Sequence, residues 1–142
     1  MFMNNLADFA VLCVDDEVEI INALKSCLRR EPYTKMFAES GEQALTLLHE
    51  SQNNARIIVI VTDIQMPGMN GTELINRVKT SFPDTICMLV SGANNINEFI
   101  KDGDTAHIYN TITKPIDIPL FKKTINDAID YYRNTAIPRY RS

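Results

Sequence analysis

The sequence lacks features that several classes of protein need. No apolar run approaches the roughly 20 residues of a membrane-spanning helix, and residues 1–10 have neither a basic start nor a cleavage-like site. The 3 cysteines, Cys13, Cys27 and Cys87, show no C-x-x-C spacing, so we expect buried, reduced thiols. The net charge of −4 argues against direct binding to a nucleic-acid backbone. We therefore expect a cytoplasmic chain without membrane or direct nucleic-acid contacts.

The composition is that of an ordinary globular domain. The 142 residues are 45% hydrophobic and 23% charged, which is enough for one domain with a full core. No internal linker or repeat interrupts the chain. Residues 133–142 are basic and aromatic without an acidic residue, and we interpret them as a tail or as the start of a linker to an output domain.

The stretch from Ile57 to Gly71, IIVIVTDIQMPGMNG, is the feature around which the chain is organised. Its continuous apolar run suits a parallel strand that is covered by helices on both faces. The run ends at Asp63, and turn residues follow. Ligands and chemistry collect at the carboxyl ends of strands in open parallel sheets, so Asp63 is the first candidate for a working residue.

Other apolar runs repeat this pattern and alternate with helical periodicity. The predicted strands are Phe9–Val14, Thr34–Ala38, Ile57–Val61, Thr85–Val90 and Ile108–Ile112. Helices are predicted to start at Val18, after Ser40, after Asn70, at Ile96 and near Asp117. Strict alternation predicts an α/β fold of three layers, a doubly wound, five-stranded parallel sheet in the order 2-1-3-4-5.

Side chains that could bind a metal or take part in a reaction follow four of these strands. They are Asp15, Asp16, Asp63, Ser91 and Lys114. Carboxylates packed this closely need a cation, and oxygen ligands favour Mg²⁺. Asp63 would be a nucleophile for a phosphoryl group, Lys114 would neutralise its oxygens, and Ser91 would donate a hydrogen bond to one of them.

The spaced motifs resemble the receiver domain of two-component response regulators over about residues 8–132. The motifs are Asp15-Asp16, Asp63-x-x-Met66-Pro67-x-Met69-x-Gly71, Ser91-Gly92 and Lys114-Pro115. The resemblance implies a flavodoxin-like fold, and phosphorylation of Asp63 by a sensor histidine kinase or phosphotransfer protein. Such a domain catalyses its own phosphorylation and dephosphorylation but is not a conventional enzyme.

The resemblance also assigns individual roles. It implies that Asp16, Asp63 and the backbone carbonyl of Gln65 hold Mg²⁺, with Asp15 acting through water. It further implies a cis peptide bond between Lys114 and Pro115.

One position departs from the family pattern. Thr111 stands where receivers commonly place the Tyr or Phe that follows the site hydroxyl, here that of Ser91, on phosphorylation. Tyr109 lies two residues earlier, on the same strand face. We hypothesise that coupling to the surface of the fourth helix, fifth strand and fifth helix uses Tyr109 or no aromatic residue.

Two other functions compete with this interpretation. A haloacid-dehalogenase-like phosphatase also uses an Asp nucleophile and Mg²⁺, but that family expects an acid where this chain has Gln65. The other is a binding module without chemistry. An output domain in a longer chain and a homodimer both remain open, and Ile108–Pro115 is similar to receivers that precede phosphodiesterase or transcription-activating modules.

Overall fold

A parallel five-stranded sheet forms the centre of the molecule. The structure, a computed structural model, describes residues 5–51, 55–92 and 107–135. The strands are β1 (Phe9–Val14), β2 (Thr34–Ala38), β3 (Arg56–Asp63), β4 (Ile86–Ser91) and β5 (Asn110–Thr113). Their order is β2-β1-β3-β4-β5, and every pair is parallel. The predicted fold class and strand order are confirmed.

Helices lie on both faces of this sheet. They are α1 (Val18–Leu28), α2 (Gly41–Glu50), α3 (Gly71–Ser81) and α4 (Ile118–Thr135), and a short 3-10 helix, Leu6–Asp8, precedes β1. The helix predicted at Ile96 lies outside the described residues. Among the described residues, no helix combines the length and the apolarity that crossing a bilayer requires.

Side-chain caps place helix starts close to strand ends. The side chain of Ser40 accepts a hydrogen bond from Gln43 N at 3.1 Å, and that of Asn70 accepts one from Glu73 N at 2.9 Å. The side chain of Gln43 accepts a hydrogen bond from Glu39 N at 2.8 Å. In a standard capping box the donor would be the backbone N–H of the cap residue itself, here Ser40. The predicted starts of α2 and α3 are therefore confirmed.

Two apolar clusters, one on each face of the sheet, form the core. Alternate residues of β1 face opposite ways: Val11 belongs to the cluster that includes residues of α1 and α4, and Leu12 to the cluster with α2 and α3. The pairing between β1 and β3 shifts register between Ala10 and Val11. Ile58 and Val59 consequently fall in the same cluster, although strict alternation separates them.

The last two strands differ slightly from their predicted bounds. β4 covers Ile86–Ser91, one residue later than predicted, so Ser91 is part of the strand. β5 begins at Asn110 and not at Ile108, although Tyr109 N already donates to Cys87 O at 2.8 Å. Only Ile112 of β5 is buried, and this gives the strand a weak apolar signal in the sequence.

Candidate functional site

The carboxyl ends of four strands bring the predicted residues together at one edge of the sheet. Asp63 is the last residue of β3 and Ser91 the last of β4, while Asp15 directly follows β1 and Lys114 directly follows β5. The backbone N–H of Lys114 donates to Ser91 O at 2.8 Å and so ties the last two strands at this edge.

Three carboxylates form an acidic cluster. Asp15, Asp16 and Asp63 each offer a carboxylate oxygen, and these atoms lie within 4.8 Å of one another. Asp15 is 3% exposed and Asp63 is 8% exposed, so water screens their charges poorly. Asp15 also accepts a hydrogen bond from Glu17 N at 2.9 Å, which anchors its side chain at the start of α1.

A single ammonium group contacts two of these acids. Lys114 Nζ lies 3.3 Å from Asp63 Oδ2 and 3.6 Å from Asp15 Oδ2. The peptide bond between Lys114 and Pro115 is cis, as the family resemblance implied. The predicted convergence of Asp15, Asp63 and Lys114 is therefore present in the structure.

The site has an excess of negative charge. Burial raises the pKa of the Asp63 carboxyl; the ammonium of Lys114 opposes this rise, and the carboxylate of Asp15 adds to it. Burial lowers the pKa of Lys114, but the attraction of Asp63 and Asp15 outweighs this effect and leaves the pKa raised. The all-oxygen donor set and the uncompensated charge fit a hard divalent cation such as Mg²⁺.

The hydroxyl of Ser91 is directed to the backbone. Ser91 is buried at the carboxyl end of β4, and its Oγ donates to Gly92 O at 2.9 Å. The strand end places this residue as predicted. Its hydrogen bond to a phosphoryl oxygen stays a prediction.

The loop after Asp63 packs against the α2–α3 side of the core. Met66 and Met69 are buried there, whereas Gln65 is exposed. Gly68 takes a φ of 77°, a left-handed conformation that favours glycine. The proposed metal role of the Gln65 carbonyl stays a prediction.

The two candidate switch residues lie on β5 and beside it. Thr111 is an exposed residue of the strand. The ring of Tyr109 lies 5.2 Å from that of Tyr131 on α4, measured between centroids, and Tyr109 is 37% exposed. Tyr109 is therefore packed against the outer surface of α4 in this conformation.

Two residues that touch the Asp63 backbone were missed as part of the site. The buried hydroxyl of Thr62 donates to Asp63 O at 3.0 Å, and Gly71 lies so close to the same carbonyl that an added Cβ would collide with it. A polar residue within an apolar strand was the available signal for Thr62. For Gly71, a glycine as the first residue of a capped helix was the signal.

Comparisons with known proteins agree with this geometry. The model of the response regulator receiver domain matches residues 11–126. The hydrogenase transcriptional regulatory protein HoxA of Bradyrhizobium diazoefficiens is 32% identical over 87% of this chain and 24% of its own length. The cyclic di-GMP phosphodiesterase of Thermotoga maritima is 29% identical over 93% of this chain and 33% of its own length. The chain thus spans about a third or less of these relatives.

Solved structures share the fold. The signal receiver domain of an HD domain-containing protein from Pseudomonas fluorescens superposes with a TM-score of 0.79 at 26% identity, covering 88% of this chain and 97% of that one. The family match, the strand order and the acidic cluster at the carboxyl edge of the sheet all point to the same family. This chain belongs to the response regulator receiver domain family of two-component signal transduction.

Proposed function

We propose that Asp63 accepts a phosphoryl group from a phosphohistidine of a sensor histidine kinase or phosphotransfer protein. The observation that carries this proposal is the pairing of a buried Asp63 with Lys114, at 3.3 Å between Oδ2 and Nζ, beside two further acids. Asp63 is the member of the cluster that ends the central strand β3. Its carboxylate is thereby held in place from the backbone.

The transfer is a substitution at phosphorus. A carboxylate oxygen of Asp63 forms the new P–O bond while the P–N bond to the donor imidazole breaks, and the imidazole leaves with the electron pair and takes a proton. The ammonium of Lys114 stabilises negative charge on the phosphoryl oxygens. Ser91 turns its hydroxyl from Gly92 O, its acceptor at 2.9 Å, to one of these oxygens.

Mg²⁺ is the proposed cofactor. Asp16, Asp63 and the backbone carbonyl of Gln65 would hold it, with Asp15 acting through water. When bound, Mg²⁺ supplies positive charge that offsets the carboxylates and the phosphoryl oxygens. The close carboxylate oxygens, within 4.8 Å of one another, support this assignment.

Phosphorylation would then shift the equilibrium between two states of one surface. That surface is formed by the fourth predicted helix, by β5 and by the fifth predicted helix, which is α4 of the structure. A role for Tyr109 in this shift is supported by its position, because Tyr109 directly precedes β5 and its ring packs against Tyr131 of α4. Structures with and without a phosphoryl mimic such as beryllofluoride test this role. A Tyr109 side chain that stays against Tyr131 while Ser91 moves would exclude Tyr109 and leave coupling without an aromatic residue.

The output of the switch is a regulatory module or partner. Most of the length of HoxA and of the Thermotoga phosphodiesterase lies outside the matched region. This supports a receiver that controls an attached or separate effector. Self-association through the same surface is the alternative route by which the switch is read.

Intact mass measurement after incubation with acetyl phosphate and Mg²⁺ tests the acceptor. We expect one phosphoryl adduct in the wild type, its loss in Asp63→Asn, and its retention in Asp127→Asn, which neutralises an exposed acid. Sustained hydrolysis of a phosphate monoester would instead support the phosphatase alternative. No adduct under any condition would support a binding module.

A further inference from the structure

The start of helix α3 lies directly against the backbone of Asp63. Gly71 is the first residue of α3, and a Cβ added to it would collide with Asp63 O and lie 3.1 Å from Asp63 C and 3.0 Å from Ile64 Cα. All of these are backbone atoms, which cannot rotate away as a side chain can. A residue without a Cβ is therefore required for this approach.

Hydrogen bonds hold the same segment from three directions. Gly71 N donates to Ile64 O at 2.8 Å, and Ile64 N donates to Val90 O of strand β4 at 3.2 Å. The hydroxyl of Thr62 donates to Asp63 O at 3.0 Å. The backbone on the carboxyl side of Asp63 is thus fixed by α3, by β4 and by a buried side chain.

We propose that Gly71 is a positioning residue for Asp63. Together with Thr62, it contacts the backbone carbonyl of Asp63 and fixes the position of that residue. The inference rests on the proposed phosphorylation of Asp63. Relieving the contact made by an added Cβ requires movement of about 1 Å, and misplacing a reacting group by that distance costs on the order of 100-fold in rate. Gly71 acts only through the position of Asp63.

The chain provides a matched control at Gly41. Gly41 is the first residue of α2 and follows the cap Ser40, as Gly71 follows the cap Asn70. A Cβ at Gly41 would lie 2.8 Å from Met69 Sδ and 3.0 Å from Met69 Cβ. The nearest of these atoms, Met69 Sδ, lies far out on a flexible side chain that can rotate away, and no Asp63 backbone atom is among the three nearest. Gly41→Ala and Gly71→Ala make the same chemical change at equivalent helix positions, but only the second meets the Asp63 backbone.

The test compares the wild type with these two variants at a temperature where circular dichroism shows each to be folded. The phosphorylation rate is measured with acetyl phosphate, and Mg²⁺ affinity is measured by the shift of amide resonances. We expect Gly71→Ala to lower the rate at least tenfold and to weaken Mg²⁺ binding, and Gly41→Ala to stay within twofold of the wild type. Folded Gly71→Ala protein that matches Gly41→Ala in both measurements would overturn the inference.

Two further outcomes are distinguishable. If the wild type forms no adduct at Asp63, the proposed function fails, and the Mg²⁺ comparison still decides whether Gly71 positions the carboxylate. If Gly71→Ala does not fold, Thr62→Val decides, because it removes the opposing hydrogen bond without changing side-chain shape. We expect Thr62→Val to slow phosphorylation at least threefold, and an unchanged rate in that folded variant contradicts the proposal.

Discussion

Lys114 Nζ lies 3.3 Å from Asp63 Oδ2 and 3.6 Å from Asp15 Oδ2, so one ammonium group serves two buried acids. The two acids belong to the ends of β3 and β1, and the lysine follows β5. The charge balance of the site therefore depends on the relative positions of these three strands, and the loss of Lys114 should affect stability as well as chemistry.

Replacing Lys114 by Met should destabilise the protein in metal-free buffer. Loss of one partner leaves the other charges buried and uncompensated, and we expect a cost of about 1–2 kcal/mol after allowing for the partial exposure of Lys114. Urea unfolding measures this cost. Lys123→Met, which removes an exposed lysine paired with Asp127, is the control, and equal losses in both variants would show that the site pairing has no special weight.

Replacing Asp63 by Asn should stabilise the protein in metal-free buffer because it removes one carboxylate from a crowded, buried cluster. Mg²⁺ should reverse the order. At ten times its Kd it raises the free energy of unfolding of the wild type by about 1.4 kcal/mol and that of Asp63→Asn by less. Urea unfolding with and without Mg²⁺ measures both effects. A metal-free Asp63→Asn variant less stable than the wild type contradicts the expected repulsion.

The cysteines should differ sharply in reactivity. Burial raises the pKa of Cys13 to about 12 and that of Cys87 to about 12, whereas Cys27 is only partly buried, with a raised pKa. At pH 8 a disulfide reagent should therefore label Cys27 alone, and the rate should rise about tenfold per pH unit below its pKa. Mass mapping of the labelled thiols checks this result. Equal labelling of Cys87 would show that β4 opens readily.

The same shifts predict a loss of stability in alkali. Cys13 and Cys87 have folded-state pKa values raised from 9.0 to about 12, so folding keeps them protonated. The stability that they contribute is present below about pH 9 and is lost as pH rises toward 12. Unfolding measured in that range should show a smaller loss in a variant with both cysteines replaced by Ala.

Asn70 should contribute to stability as the cap of α3. Asn70→Ala removes the acceptor for Glu73 N, a 2.9 Å hydrogen bond, and should cost about 1 kcal/mol. Asn76→Ala, at an exposed position within the same helix, should be neutral or slightly stabilising because Ala favours helix. Thermal unfolding of both variants provides the measurement, and equal effects would remove the cap assignment.

Much of this fold follows from local sequence patterns. The apolar run of β1 predicts its bounds, and the spacing of Ser40 and Gln43 predicts the start of α2. The short β5 is less well predicted because only Ile112 is buried in it. A strand with one buried residue has no periodicity from which its ends can be located.

The alternation of strands and helices, and the acids, hydroxyl and lysine at the strand ends, could be predicted from the sequence because they depend on the pattern within each segment. Three features became visible only in the folded molecule: the register shift beside Val11, the contact of Tyr109 with Tyr131 and the approach of Gly71 to the Asp63 carbonyl. Each of these depends on the distance between separately folded segments, and close packing of the whole domain sets that distance.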